Sequence, residues 1–163
     1  MGIPTLKESG IRDVTFGENV VIYQPVNMYG CEIADDVMIG PFVEIQRGVR
    51  IGARCRIQSH AFICEGVTIG ADSFISHGAM FINDTFARGG SARGDRALWK
   101  PTLIGDGVSI GTGAVILPVR ICTGTVIGAG AVVTRNVDVP GVYVGNPARL
   151  LRRIVPSTGH ERS

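Results

Sequence analysis

Aromatic residues make up only 6% of this 163-residue sequence and charged residues only 18%. At a net charge of +2 there is no basic field to make a case for a nucleic-acid partner. No run of eighteen apolar residues occurs, so no membrane-spanning helix is expected. Met1–Gly10 has no apolar leader stretch, and a cytoplasmic chain without membrane insertion is expected. The four cysteines form no CxxC pair, which argues against both a zinc site and a disulfide framework. Of three histidines only His60 and His77 fall in the patterned region, too few for a three-histidine metal centre, and no metal is expected. Helical periodicity is missing over most of the chain.

Glycine and regularity are plentiful. The 23 glycines are roughly twice the usual share. Stepping six residues at a time from Ile33 gives Ile39, Ile45, Ile51, Ile57, Ile63, Ile69, Ile75 and Phe81. A second column two residues earlier is smaller: Cys31, Val37, Val43, Val49, Cys55, Ala61, Val67, Ser73 and Ala79. A six-residue period is neither helical nor that of isolated strands; it is the signature of a parallel β-helix of short strands and tight corners. Cys31 and Cys55 then read as core fillers, with Cys64 and Cys122 beside corners.

Three hexapeptides make one triangular coil, so residues eighteen apart should stack about 4.8 Å from one another. That puts Arg47, Glu65 and Asn83 on one corner in successive coils, and Ser59 and His77 on another, with His60 beside Ser59. Backwards, the count reaches Thr15, Val21 and Asn27, which places Asn27 inward; residues 1–14 read as a lead-in strand or cap. Forwards, the period stops at residue 83. Residues 84–102 hold glycine, arginine, proline and the only tryptophan without six-residue order, and a loop of that length in a compact repeat is usually functional or interface-forming. The lattice resumes at Ile104, Ile110 and Ile116, slips to five residues before Ile121, then runs through Ile127, Val133 and Val139. Val139-Pro140-Gly141 is expected to end the coils. Ala148–Ile154 reads as a short C-terminal helix and 156–163 as a disordered tail, leaving residues 1–155 as a single domain.

Several stretches resemble one family, the left-handed β-helix acyltransferases that use acetyl-CoA. The hexapeptides carry the likeness, with IGAGAVVTRNV (Ile127–Val137) and VGNPAR (Val144–Arg149). NMYGCEI (Asn27–Ile33), FVEIQ (Phe42–Gln46), SHAFICEGV (Ser59–Val67) and FINDTFAR (Phe81–Arg88) are similar to a branch of N-acetyltransferases acting on nucleotide-linked 3-amino sugars for bacterial surface polysaccharides. Ala87, where that branch usually has proline, and the five-residue slip depart from its pattern. The expected fold is all-β: a left-handed parallel β-helix with one protruding loop at about 84–102 and a short C-terminal helix. The resemblance implies a homotrimer with acetyl-CoA as co-substrate and a nucleotide sugar, dTDP- or UDP-linked, held between neighbouring subunits.

Amide formation from a thioester needs an oriented amine, a proton acceptor and oxyanion stabilisation. His60 is the candidate base, or else a hydrogen-bonding residue between subunits. Asn83 would orient the amine, and Asp84 would act as base or hold a sugar hydroxyl; both are also common turn residues. Glu65 would meet substrate or pair with Arg47. His77 and Arg88 are further substrate-binding candidates, with Arg93, Arg96 and Lys100 for a diphosphate and Trp99 or Phe86 for a base. His160, in the tail, is set aside. For the cofactor, Gly111, Gly128, Ala129 and Ala131 would let a pantetheine arm approach closely, and Arg135, Arg149 and Arg152 would meet CoA phosphates. Two other readings stay open: O-acetylation of a hydroxyl acceptor, and a non-catalytic β-helix scaffold. A γ-type carbonic anhydrase shares the architecture, but the seventeen-residue separation of His60 and His77 misses the close pair it uses.

Overall fold

The computed structural model describes residues 2–154. Each hexapeptide forms a short strand whose apolar residue points inward, followed by a corner that turns the chain on to the next face. Three parallel sheets result. Sheet A stacks Ile11–Arg12, Asn27–Tyr29, Glu44–Ile45, Phe62–Ile63, Met80–Phe81, Val115–Ile116 and Val132–Val133. Sheet B stacks Thr15–Phe16, Glu32–Ile33, Arg50–Ile51, Val67–Ile69, Thr102–Ile104 and Arg120–Ile121. Sheet C stacks Val21–Ile22, Met38–Ile39, Arg56–Ile57, Phe74–Ile75, Ser109–Ile110, Val126–Ile127 and Gly141–Val144. The architecture is the left-handed β-helix expected from the hexapeptides.

The core is the isoleucine column. From Ile33 to Phe81 none of its members is more than 2% exposed, and the smaller column is buried throughout. Each such side chain contributes about 1.5–3 kcal/mol relative to exposure. Burial pushes the Cys31 thiol up to about 11 and Cys64 to about 12, so both are inert fillers.

The corners follow a rule. The third residue after the inward one takes the left-handed conformation: Asp36, Phe42, Arg54, His60 and Asp72 with φ of 57–63°, and Gly78, Gly107, Gly113, Gly124 and Gly130 further on. The first residue after it is often glycine for a different reason. A Cβ on Gly52 would sit 2.6 Å from the Ala71 nitrogen in the next coil. Stacking of coils therefore dictates those glycines.

Inward positions come at strict six-residue intervals from sheet B to C and from C to A, as in Ile33–Ile39–Ile45 and Ile104–Ile110–Ile116. From sheet A to B the interval varies. It is five residues from Ile11 to Phe16, from Met28 to Ile33 and from Ile116 to Ile121, and six at Ile45–Ile51 and Ile63–Ile69. Between Phe81 and Ile104 the loop intervenes on that same edge.

Three expectations are corrected. Asn27 is not inward: Met28 fills that position, fully buried and paired with Ile45, because the five-residue corner before Ile33 shifts the count by one. The coils do not end at Pro140. It lies in a corner where no ladder N–H is required, and Val142 pairs with Val126 beyond it. Ala148–Ile154 is not helical: Arg149–Arg153 is an exposed strand antiparallel to Gly141–Val144. So short a helix is marginal in water, whereas the open edge of sheet C offers a ready ladder. The tail at 156–163, with His160, lies outside the described residues.

Candidate functional site

Sheet A separates two polar edges, and the candidate residues divide between them. Along the C–A edge run His60, His77, Gly111 and the Gly128–Ala129 corner, in successive coils. Along the A–B edge run Arg47, Glu65, Asn83 and the loop, with Arg135 on the last corner. His60 and Asn83 therefore lie on opposite edges of one sheet and do not meet within the chain.

On the A–B edge the eighteen-residue stacking holds. The Asn83 side-chain nitrogen donates to the Glu65 carbonyl at 3.0 Å, one coil away. The Asn83 backbone oxygen accepts from Lys100 N at 3.3 Å and closes the neck of the loop. The Asn83 side-chain oxygen has no partner among the described residues. Glu65 does not pair with Arg47; its carboxylate meets Arg96 at 3.1 Å, on the short 3-10 turn Arg96–Leu98 capped by Asp95. With Arg96 more than half exposed, that pair is worth at most about 1 kcal/mol. It ties the loop down over the corner.

Asp84 folds the loop. Its two oxygens accept from Phe86 N at 2.9 Å and Ala92 N at 2.7 Å. The amides of Ala92 and Phe86 hold the carboxyl below the usual carboxylate range, against some desolvation. A carboxylate so occupied is a weak proton acceptor, so the base role considered for Asp84 fits poorly. Arg88, Arg93 and Phe86 are exposed on the loop, while Trp99 is half-buried at its base.

On the C–A edge His60 is exposed at φ +63° and stacks on Phe42, one coil earlier, with ring centroids 4.9 Å apart and planes 8° from parallel. Both rings leave their corners at the left-handed position, so the fold presents the imidazole outward with one face covered. His77 is exposed on the next coil, and its backbone oxygen accepts from Gly113 N at 2.9 Å.

The cofactor candidates are less uniform. A Cβ on Gly111 would lie 2.5 Å from Ala129 N, and one on Gly128 would lie 2.8 Å from the Val144 side chain. Packing thus accounts for both glycines. Ala131 is fully buried, a core filler whose side chain no ligand can touch, while Ala129 is exposed at the corner. Arg149 lies beside Val144, near that edge, and its guanidinium donates to the Ala148 oxygen at 3.0 Å. Arg135 is exposed on the other edge, and Arg152 is on the terminal strand.

Sequence reasoning missed the Phe42–His60 stack, the Asp84 staple and the Glu65–Arg96 pair. The first had a signal in the eighteen-residue offset between Phe42 and His60. The other two depend on the path of an irregular loop. Among the described residues no group of three His, Cys, Asp or Glu could hold a metal ion. No helix there is long and apolar enough to cross a membrane.

The model for the bacterial transferase hexapeptide (six repeats) matches residues 30–65, and that for the hexapeptide repeat of succinyl-transferase matches residues 101–135. The two matches lie on either side of the loop and both are to hexapeptide repeats. No curated protein matches it. Among solved structures it is similar to a hexapeptide-repeat-containing acetyltransferase from Vibrio cholerae O1 biovar eltor complexed with acetyl coenzyme A. The identity is 28% over 76% of this chain and 70% of that one, with a TM-score of 0.62. It is also similar to the polySia-specific acetyltransferase NeuO (21% identity, 89% and 83% covered, TM-score 0.61). A mutant of AntD, an N-acyltransferase from Bacillus cereus in complex with dTDP and coenzyme A, matches at 21% identity (86% and 84% covered, TM-score 0.52). At 21% identity the last two speak to the fold alone.

Proposed function

We propose that the chain is an acyltransferase that moves an acetyl group from acetyl-CoA to the amine of a nucleotide-linked amino sugar, working as a homotrimer with sites between subunits. The observation that carries this reading is the loop rooted at Asn83, held by Asp84 and by Glu65–Arg96 on the edge of sheet A opposite an exposed histidine. The two halves can meet only if the C–A edge of one subunit faces the A–B edge of the next. From Phe62 onward the outer face of sheet A between those edges is apolar: Met80 is 41% and Ile82 38% exposed, beside half-buried Phe62, Val115 and Leu117, whereas the earlier coils carry Asn27, Glu44 and Gln46 there. Covering such a face by another copy removes it from water. The Vibrio cholerae acetyltransferase, 28% identical and complexed with acetyl coenzyme A, supports the choice of donor.

In this mechanism Asn83 accepts a hydrogen bond from the sugar amine through its free side-chain oxygen and aims the nitrogen lone pair at the thioester carbon. The nitrogen attacks, the carbonyl oxygen takes the negative charge, and collapse expels the CoA thiolate. His60 takes the proton lost by nitrogen, its ring plane set by Phe42. Asp84 shapes the loop and takes no proton. The small exposed corner at Ala129 leaves room for an extended pantetheine beside the coils, with Arg149 near it for a phosphate.

Acetyl-CoA consumption against a panel of UDP- and dTDP-linked 3-amino and 4-amino sugars tests the reading. Turnover with at least one amine acceptor is expected. Turnover with hydroxyl acceptors alone would replace it with O-acetylation, and no CoA binding at all would favour a scaffold.

A further inference from the structure

We propose that the groove at the N-terminal end of the A–B edge binds the nucleoside diphosphate of the acceptor. The edge would then act as a ruler that starts at the amine on Asn83. This rests on the nucleotide-sugar reading above and places one part of that substrate.

The groove is about 730 Å³, within the range of small-molecule sites. One wall is the arm Lys7–Ser9 and the other is the edge itself, at Arg12, Tyr29 and Arg47. Three features suit it to a nucleotide. Arg47 makes no ion pair among the described residues, unlike Arg50, Arg54, Arg96 and Arg120. Its stem lies across Gly30, where a Cβ would come within 3.1 Å of the Arg47 Cγ. That glycine, at φ +59°, therefore leaves the guanidinium its path along the corner. Arg12 is already fixed: it donates to the Glu8 carbonyl and to the Asn27 side chain, and it stands 5.6 Å from the centre of the Tyr29 ring. The site thus presents one free guanidinium, one fixed guanidinium, the Lys7 ammonium and an aromatic ring. Glu8 and Asp13 also line it. Their carboxylates leave an excess of one positive charge, which favours a compact dianion held by Arg47 over diffuse polyanion binding.

The register makes the assignment specific. Asn83, Glu65 and Arg47 are successive members of one corner ladder, so Arg47 stands about 10 Å from Asn83 at about 4.8 Å per coil. Tyr29 is about one coil further. An amine on Asn83 puts the sugar beside the Glu65–Arg96 pair, the diphosphate at Arg47 and Lys7, and the base against Tyr29. The loop arginines Arg88 and Arg93 are not needed for the phosphates in this pose.

Calorimetric titration of the full chain with dTDP, UDP and pyrophosphate tests the placement, with coenzyme A as a separate titrant. Arg47→Gln is expected to weaken all three anions at least tenfold, the loss of a charge-assisted contact. Tyr29→Leu is expected to weaken dTDP and UDP but spare pyrophosphate. Coenzyme A affinity and melting temperature should be unchanged in both variants, which excludes misfolding. Nucleoside diphosphate affinities equal to the parent's in both variants would overturn the groove assignment and leave the acceptor reading standing. Coenzyme A binding without any nucleoside diphosphate binding in the parent would remove the nucleotide-sugar reading and this proposal with it.

Discussion

Replacing Gly111 by alanine separates two reasons for a small residue on the C–A edge, ligand approach and coil stacking. The added Cβ would sit 2.5 Å from Ala129 N, 2.7 Å from Gly128 C and 2.8 Å from Ile127 O. All three are backbone atoms of the next coil, with no flexible side-chain end to swing away. The coils would have to part locally, an overpacking cost of about 3 kcal/mol. At roughly 2–4 °C per kcal/mol for a chain of this size, the melting temperature should fall by about 6–12 °C. Gly113 is the control: its Cβ would meet nothing within 4 Å, but its φ is +66°. Gly113→Ala should therefore cost only the left-handed penalty of about 1–2 kcal/mol. Scanning calorimetry at matched protein concentration reads both, and coenzyme A titration reads the ligand side. A Gly111→Ala chain that melts with the parent yet loses coenzyme A binding would refute the packing argument.

His60→Ala should lower kcat about 10²- to 10⁴-fold without changing the melting temperature, as loss of a proton acceptor does; an unchanged kcat would assign His60 to binding. Asp84→Asn should raise proteolytic cleavage of the loop between Phe86 and Ala97 while the coils stay protected from hydrogen exchange. The Asp84 carboxyl is held below its ordinary range in the folded loop. Its stabilisation is therefore complete above the ordinary carboxylate pKa and lost as pH falls through the lowered folded value. The protection of the Ala92 and Phe86 amides, relative to their intrinsic exchange rates at each pH, should accordingly fall in that acid window and stay flat between about pH 6 and 8. Phe81→Ala should cost about 3–5 kcal/mol by opening a cavity under the root of the loop, read as a drop in denaturant midpoint.

The isoleucine column was legible because its period is set by coil geometry alone, and every member from Ile33 to Phe81 is buried as the spacing demanded. The stacking of Glu65 under Asn83 followed from the same count, down to a hydrogen bond between them. Counting failed where the A–B corner loses a residue. Asn27 was carried inward by a strict six, whereas the five-residue corner at Tyr29–Gly30 hands that place to Met28. The C-terminal strand was hidden for another reason. ARLLRRI has good helix formers, and only the unpaired edge at Gly141–Val144, a tertiary fact, turns it into a ladder. The loop was visible as a break in period, but not its internal ties. Which amides Asp84 would take, and which arginine Glu65 would meet, depend on a path that no repeat dictates.

The most direct test is the position of the acetyl group in the product. The chain would be incubated with acetyl-CoA and the best acceptor from the amino-sugar panel, and the product examined by NMR. Acetylation on the sugar nitrogen, with release of free coenzyme A, is the predicted result. Acetylation on a hydroxyl, or hydrolysis of acetyl-CoA with the acceptor unchanged, would contradict the account.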